Sequence, residues 1–206
     1  KTIGQGLEEM DKIAAQTLDE TFRTALSGDS KDYRESSSSL MFAFILALIL
    51  IYLILAAQFE SFKDPFIIML TVPLAIAGAL IFMYAGGITM NIFSQIGIIM
   101  LIGLVAKNGI LIVEFANQKQ EGGENKMQAI RDAALQRLRP ILMTSASTVL
   151  GLIPLAFATG EGANQRIAMG TAVVGGMLVS TFLTMYIVPA IYSYISTNRN
   201  VKTEIV

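Results

Sequence analysis

The 206-residue chain contains no cysteine and no histidine. Disulfides are therefore excluded, zinc sites lose their usual ligands, and no imidazole is present to carry protons; the redox compartment stays unreadable. Net charge is nearly absent too, since 15 Lys and Arg against 16 Asp and Glu leave −1, so there is no basic surface of the kind that would take nucleic acid. The opening 18 residues are polar and acidic and begin with Lys, without the apolar core of a signal peptide, and the chain is expected to be a piece of something longer. No metal motif, phosphate loop or nucleophile–base pair occurs, and Gly160-Glu161-Gly162 lacks the Lys-Ser/Thr that a nucleotide cradle needs. Neither a cofactor nor an enzymatic reaction is expected.

What the chain does have is apolar sequence, 53% of it, gathered into blocks over 40–59, 66–85, 92–117, 138–159 and 167–195. Each reaches the roughly 20 residues a tilted helix needs to cross about 30 Å of hydrocarbon. The pattern predicts an all-α bundle of five transmembrane helices in a lipid bilayer, over 40–196, with a tail over 197–206. Five crossings put the chain ends on opposite sides. Lys63, Lys119, Lys126, Arg131, Arg137, Arg139, Arg199 and Lys202 lie on one side, while the other has Arg23, Lys31, Arg34 and Arg166. The richer side is expected in the cytoplasm, with the N-terminal segment outside.

Ahead of the first crossing, Ile3, Leu7, Met10, Ala14 and Leu18 recur at helical spacing among Glu8, Glu9, Asp11 and Lys12, which predicts an amphipathic helix. Residues 21–27 then alternate loosely before the Gly28-Asp29 turn, predicting a short strand. So little apolar surface cannot build a core, and 1–39 is expected to be a remnant needing partners outside this chain. Between Gly122-Gly123 and Pro140, Met127, Ile130, Ala134 and Leu138 share one face and predict a helix along the cytoplasmic interface. Pro73 and Pro154 fall inside crossings, where neighbouring helices tolerate the freed carbonyls. Ala75, Ala79, Gly97, Gly103, Ala172 and Gly176 are small enough for close helix contact.

The candidate site begins with Lys107, inside the apolar block 92–117 and about 15 Å along the helix axis from Asn117, beyond the reach of a lysine stem to water. An ionised Lys at that depth costs at least about 2.5–3.5 kcal/mol and ordinarily faces a bundle interior and pairs there. Glu114 shares its helix face, but about 10.5 Å separates the backbones, so a counter-ion is expected elsewhere. Asn108 could solvate the ammonium or cap a neighbouring helix. On the fourth crossing Arg137 and Thr144 are likewise seven apart and line one stripe, with Ser145, Ser147 and Thr148 nearby; the hydroxyls could hold water or bond across helices. Arg137 read alone is either a cytoplasmic anchor or part of a charged interior.

The string GLVAKNGILIVEFANQ (103–118), followed by RLRPILMTS (137–145), the loop ATGEGANQR (158–166) and LAAQFESFKDPF (55–66), resembles the resistance-nodulation-division efflux transporters, and within them the hydrophobe and amphiphile branch. The resemblance runs through essentially the whole chain. It implies that the five crossings correspond to helices eight to twelve and that 1–39 ends a periplasmic porter domain. It also implies proton-driven multidrug efflux from a bacterial inner membrane, with a lysine on the tenth helix and an arginine and threonine on the eleventh completing a proton relay, positions matched here by Lys107, Arg137 and Thr144. The aspartate pair on the fourth helix with which that lysine pairs in the family is not in this chain. The partners implied are the N-terminal part of the same transporter, a homotrimer, a periplasmic adaptor, an outer-membrane channel and amphiphilic small-molecule substrates. Export of proteins or lipids by the same superfamily, or a membrane sensor or scaffold in which Lys107 is a fixed pair, are the competing readings.

Overall fold

The computed structural model describes residues 3–19, 22 and 24–197. Its helices are α1 (Ile3–Thr17), α2 (Asp29–Phe59), α3 (Lys63–Met69), α4 (Thr71–Ala85), α5 (Ile92–Glu121), α6 (Lys126–Ala156) and α7 (Ala163–Ile195). Five helical stretches are long and apolar enough to cross a membrane: Leu40–Phe59, Lys63–Ala85, Ile92–Glu121, Lys126–Ala156 and Ala163–Ile195. They fall where the hydropathy places them, and the protein is a multi-pass membrane protein.

The second span is divided, with α3 and α4 meeting at Leu70. Pro73 lies just beyond the break; it has no N–H for the carbonyl of Met69, and its ring crowds that carbonyl. The Thr71 hydroxyl donates to the Ile68 carbonyl at 2.7 Å, one residue before the carbonyl that Pro73 cannot serve. α5 starts on a reciprocal cap in which Asn91 Oδ1 accepts from the Ser94 N–H at 2.9 Å and the Ser94 hydroxyl accepts from the Asn91 N–H at 2.8 Å. At its far end Gly123 takes φ 93°, a conformation only glycine adopts cheaply, and the Glu124 N–H closes on the Lys119 carbonyl at 3.1 Å. Asn125 then caps α6, and the chain reverses.

α4, α5 and α6 all pack on α7. The approach is close enough that a Cβ on Gly170 would stand 2.6 Å from the Ala156 backbone nitrogen, and one on Gly176 would stand 2.8 Å from the Ala75 carbonyl oxygen. Ala75, Ala79, Ala172, Gly97 and Gly176 are buried at such contacts, as their size suggests. Gly103 is not; it is exposed, with open space where a side chain would be.

Two further expectations change. The interfacial helix ahead of Pro140 is not a separate element, because α6 runs unbroken through Pro140 and Pro154 for 31 residues, about 46 Å at 1.5 Å per residue, longer than hydrocarbon alone requires. Its buried face in that stretch is Ala129, Ile130 and Ala133, while Met127 and Leu138 are exposed. Small residues let α6 approach α5 and α7 there, which a purely apolar face count overlooks. The predicted strand is also not seen: residues 22 and 24–27 are irregular, Thr21 and Arg23 lie outside the described residues, and a lone strand would have no neighbour to complete its ladder.

Burial is uneven. Among the spanning segments, 56% of the apolar window of α5 is buried, against 17% for α6 and 6% for the first span. α5 is an inner helix, and α2 and α6 present broad sides to whatever surrounds this chain.

Candidate functional site

Lys107 is half-buried on α5 and makes no hydrogen bond or ion pair to any described residue. Its neighbour Asn108, turned about 100° round the helix, is completely buried and donates from Nδ2 to Ser145 Oγ of α6 at 3.3 Å. Thr181 of α7 donates to the same oxygen at 3.1 Å. Three helices thus meet at one serine hydroxyl. The Asn108 carbonyl oxygen, Oδ1, is buried without a partner.

Asn108 faces Ser145, and seven residues further along α5 the Phe115 ring faces Arg137, whose guanidinium carbon is 4.3 Å from the ring centroid. The two pairs fix an antiparallel register that puts Lys107 and Thr144 at one depth and Arg137 two turns towards the 122–125 turn. Stacking on Phe115 supplies the guanidinium with a favourable face. Arg137 Nε is nevertheless buried with no acceptor. Thr144 is an exposed residue whose hydroxyl donates to the Ile141 carbonyl of its own helix at 3.1 Å, and Thr148 donates likewise to the Thr144 carbonyl at 2.8 Å. The structure therefore sets Lys107 and Thr144 at one height and Arg137 two turns away, and bonds none of them to another. Glu114 accepts from Gln118 Nε2 at 3.0 Å and lines a recess of about 210 Å³ with Gln58, Glu60 and Glu121 among others. It is not paired with Lys107.

Sequence reasoning passed over a second polar cluster nearer the 122–125 turn. Asp64, only 2% exposed, accepts from Asn117 Nδ2 at 3.1 Å on one oxygen and from the Ser196 hydroxyl at 3.3 Å on the other. The Tyr192 hydroxyl donates to Asn117 Oδ1 and accepts from Gln120 Nε2 at 2.7 Å. Lys126 Nζ donates to the Ser196 carbonyl at 2.5 Å, placing a cation at the C-terminal end of the α7 dipole. α3, α5, α6 and α7 are joined here, and no buried side-chain nitrogen or oxygen of Asp64, Asn117, Gln120, Tyr192 or Ser196 is left without a partner. Asn117 and Gln120 continue the face that carries Val113 and Ala116, so a helical wheel carried past the apolar block would have found them.

The chain matches the model of the AcrB/AcrD/AcrF family over residues 1–196. It is 41% identical over 203 residues to an uncharacterized transporter of Haemophilus influenzae, covering 95% of this chain and 20% of that protein. It is 38% identical over 195 residues to the toluene efflux pump membrane transporter TtgB of Pseudomonas putida (95% and 18%) and 39% identical over 193 residues to the multidrug resistance protein MdtF of Escherichia coli (93% and 18%). The chain thus spans about a fifth of the length of the relatives it matches. With its five spanning helices and its Ala-Lys-Asn and Arg-Leu-Arg-Pro strings, the chain belongs to the AcrB/AcrD/AcrF family of resistance-nodulation-division transporters.

Proposed function

We propose that this chain works as the C-terminal transmembrane part of a proton-driven multidrug efflux transporter, exchanging protons for amphiphilic compounds across a bacterial inner membrane. The observation that carries the reading is Lys107: a cation at mid-depth of the most buried spanning helix, without a partner among the described residues, level with Thr144 and two turns from an arginine whose Nε also lacks an acceptor. Such a group is retained at a cost of several kcal/mol only where a partner is supplied and exchanged. The partner in this reading is a carboxylate on the N-terminal part of the same transporter. Residues 1–39 then close a periplasmic porter domain, residues 197–206 lie in the cytoplasm as the distribution of Lys and Arg favours, and a homotrimer joins a periplasmic adaptor and an outer-membrane channel.

The mechanism follows from the chemistry of a desolvated ion pair. While the partner carboxylate is ionised it holds the Lys107 ammonium; when it takes up a proton the attraction vanishes and the ammonium turns to neutral acceptors. Proton binding becomes displacement of a side chain, and Arg137 and Thr144 offer charge and hydroxyl along the same stripe. Asn108 supports the relay as a buried amide beside the lysine. The names of the relatives, a toluene efflux pump and a multidrug resistance protein, favour apolar and amphiphilic cargo. The test is transport by the complete protein in vesicles under an imposed pH gradient. Lys107→Met should abolish coupled efflux at normal membrane levels, and Lys107→Arg should restore it poorly, since a planar fork does not replace a compact ammonium. Wild-type coupling in Lys107→Met would overturn the relay.

A further inference from the structure

We infer that Gly103 of α5 and Gly151 of α6 are positioning residues of the relay: they form the seat on which a helix from the N-terminal part of the same transporter packs closely enough to bring its carboxylate to Lys107. The inference rests on the function proposed above. Eight glycines lie within the spanning helices. At six of them, Gly78, Gly97, Gly109, Gly170, Gly175 and Gly176, an added Cβ would stand 3.1 Å or less from an atom of a neighbouring helix, whereas at Gly103 and Gly151 it would meet nothing within 4 Å. Glycine in a helix interior is unfavourable beside alanine, and elsewhere in this bundle it serves close helix contact. Two glycines without a neighbour mark a contact that this chain does not itself complete.

Their placement ties them to Lys107. The exposed residues Ile96, Met100, Gly103 and Gln118 of α5 fall on one stripe with Lys107, and the exposed Gly151 continues the α6 stripe of Arg137 and Thr144 at the same seven-residue spacing. Asn108 and Ser145 face each other. Lys107 and Thr144 each precede one of that pair, and on antiparallel helices a step back of one residue turns both the same way, out of the meeting with Thr181 of α7. The two stripes thus open on one side of the α5–α6 pair, away from α7. In the register set by Asn108 with Ser145 and Phe115 with Arg137, Gly103 and Gly151 are level to within about 2 Å, roughly one helical turn from Lys107 on the side away from the 122–125 turn.

The chain spans about a fifth of the length of its relatives, and this face carries a cation with no partner among the described residues, so its occupant brings negative charge at mid-depth. A lipid tail wraps a larger side chain as readily as a glycine and has no carboxylate at that depth; a second copy packing through the same face would bring a second Lys107. The charged groups the face presents are Lys107 and, about two turns towards the 122–125 turn, Glu114 and Arg137. A side chain on either glycine holds the incoming helix off, lengthens the ion pair with Lys107 and lets the carboxylate bind its proton at higher pH.

Two measurements on the complete transporter test this. In a background without other cysteines, Gly103→Cys combined with single cysteines stepped along the spanning segments of the N-terminal part should give, on oxidation, links within one polypeptide to positions three or four apart in one segment, and Gly151→Cys should link to that same segment. Links only between two polypeptides, or none at either glycine, would overturn the inference in favour of a second copy or of lipid. In vesicles, with efflux of a cationic amphiphilic dye read against pH on the proton-donating side, Gly103→Ala should slow coupled efflux about tenfold. It should also raise the pH midpoint by about half a unit, a fraction of the roughly 1–3 units that a close opposite charge is worth to a carboxylate. Gly103→Leu should slow efflux on the order of 100-fold; if it does not reach the membrane, Gly151→Ala is read as Gly103→Ala is. Gly170→Ala, overpacked inside the bundle, should leave the midpoint unmoved. A wild-type rate and midpoint in Gly103→Leu, with Lys107→Met inactive in parallel, would overturn this inference and leave the relay standing, and a slowed Gly103→Ala with an unmoved midpoint would reduce the glycine to packing. Activity in Lys107→Met would remove the relay and this inference with it.

Discussion

Two polar clusters share α5 and α7 and are built to opposite ends. Near the 122–125 turn, Asp64, Asn117, Gln120, Tyr192 and Ser196 form a chain in which no buried side-chain nitrogen or oxygen lacks a partner. About three turns along α5, the meeting of Asn108, Ser145 and Thr181 leaves a carbonyl without a donor, next to a lysine without a described acceptor. Only three buried side-chain atoms among the described residues lack a partner, and two of them belong to Asn108 and Arg137. In a medium that supplies no water, a closed cluster fastens helices, whereas an open one keeps bonding capacity in reserve for another part of the protein. The first reads as scaffold and the second as site.

The comparison breaks first, and hardest, at Lys107. Lys107→Met should cut coupled efflux by more than about 100-fold, as removal of a reacting charge does, yet leave the detergent-solubilised protein as heat-stable as wild type once the pH is low enough to protonate the carboxylate left without its partner, since only the ionised form is a stranded charge. A large loss of thermal stability at that low pH would place Lys107 with the scaffold. The converse holds for Asp64. Asp64→Leu strands the Asn117 amide and the Ser196 hydroxyl, a loss of about 3 kcal/mol at 1–3 kcal/mol for each orphaned group, and should show as a lower melting temperature or low membrane accumulation. Asp64→Asn can still accept from Asn117 and donate to Ser196, so it should recover most of that loss. If Asp64→Asn instead shifts the pH profile of transport, Asp64 titrates during the cycle and the cluster is not merely scaffold. Next in size, Gly170→Ala should cost about 1–3 kcal/mol by overpacking, since its Cβ would meet the Ala156 backbone, which cannot rotate away.

The bundle was legible because crossing a bilayer demands long apolar runs, and all five spans lie where those runs are. Lys107 was legible for the same reason: one charge in an apolar block cannot be hidden. The Asp64 cluster was not, because its members sit where spans give way to loops, and there a polar residue next to a proline or in a last helical turn looks solvated. Thr181 was hidden differently. A threonine in a span carries no depth penalty large enough to stand out, and its worth depends on Ser145, 36 residues away in sequence, meeting it at 3.1 Å. Pairing across helices is set by register, and register here comes from glycine contacts such as Gly170 on Ala156 and Gly176 on Ala75, which composition does not reveal. α6 misled in the same way, since Ala129, Ala133 and Ser145 share its buried face with Ile130 and Ile141 while Met127, Leu135 and Leu138 are exposed.

The smallest predicted effect draws the line between the clusters most finely. Tyr192 is wholly buried, with its hydroxyl accepting from Gln120 and donating to Asn117. Tyr192→Phe keeps the ring in the apolar cluster around Val188 and Ile141 and deletes the oxygen, leaving a Gln120 N–H and the Asn117 carbonyl each short of a bond. In water-soluble interiors that would cost about 1–3 kcal/mol; interhelical bonds in membrane proteins average nearer 0.6 kcal/mol because the separated helices also find partners, so about 1 kcal/mol is expected, read as a modest fall in melting temperature. Gln120→Leu removes the donor instead, and the double variant should lose less than the sum of the two, because both changes break one bond. Throughout, the pH midpoint of efflux should stay at its wild-type value. A closed cluster that acts only as a fastening loses strength when a link is cut and does not change the proton affinity of a site about three turns away. A shifted midpoint in Tyr192→Phe would mean that the two clusters are coupled along α5 or α7, and that their division into scaffold and site is wrong.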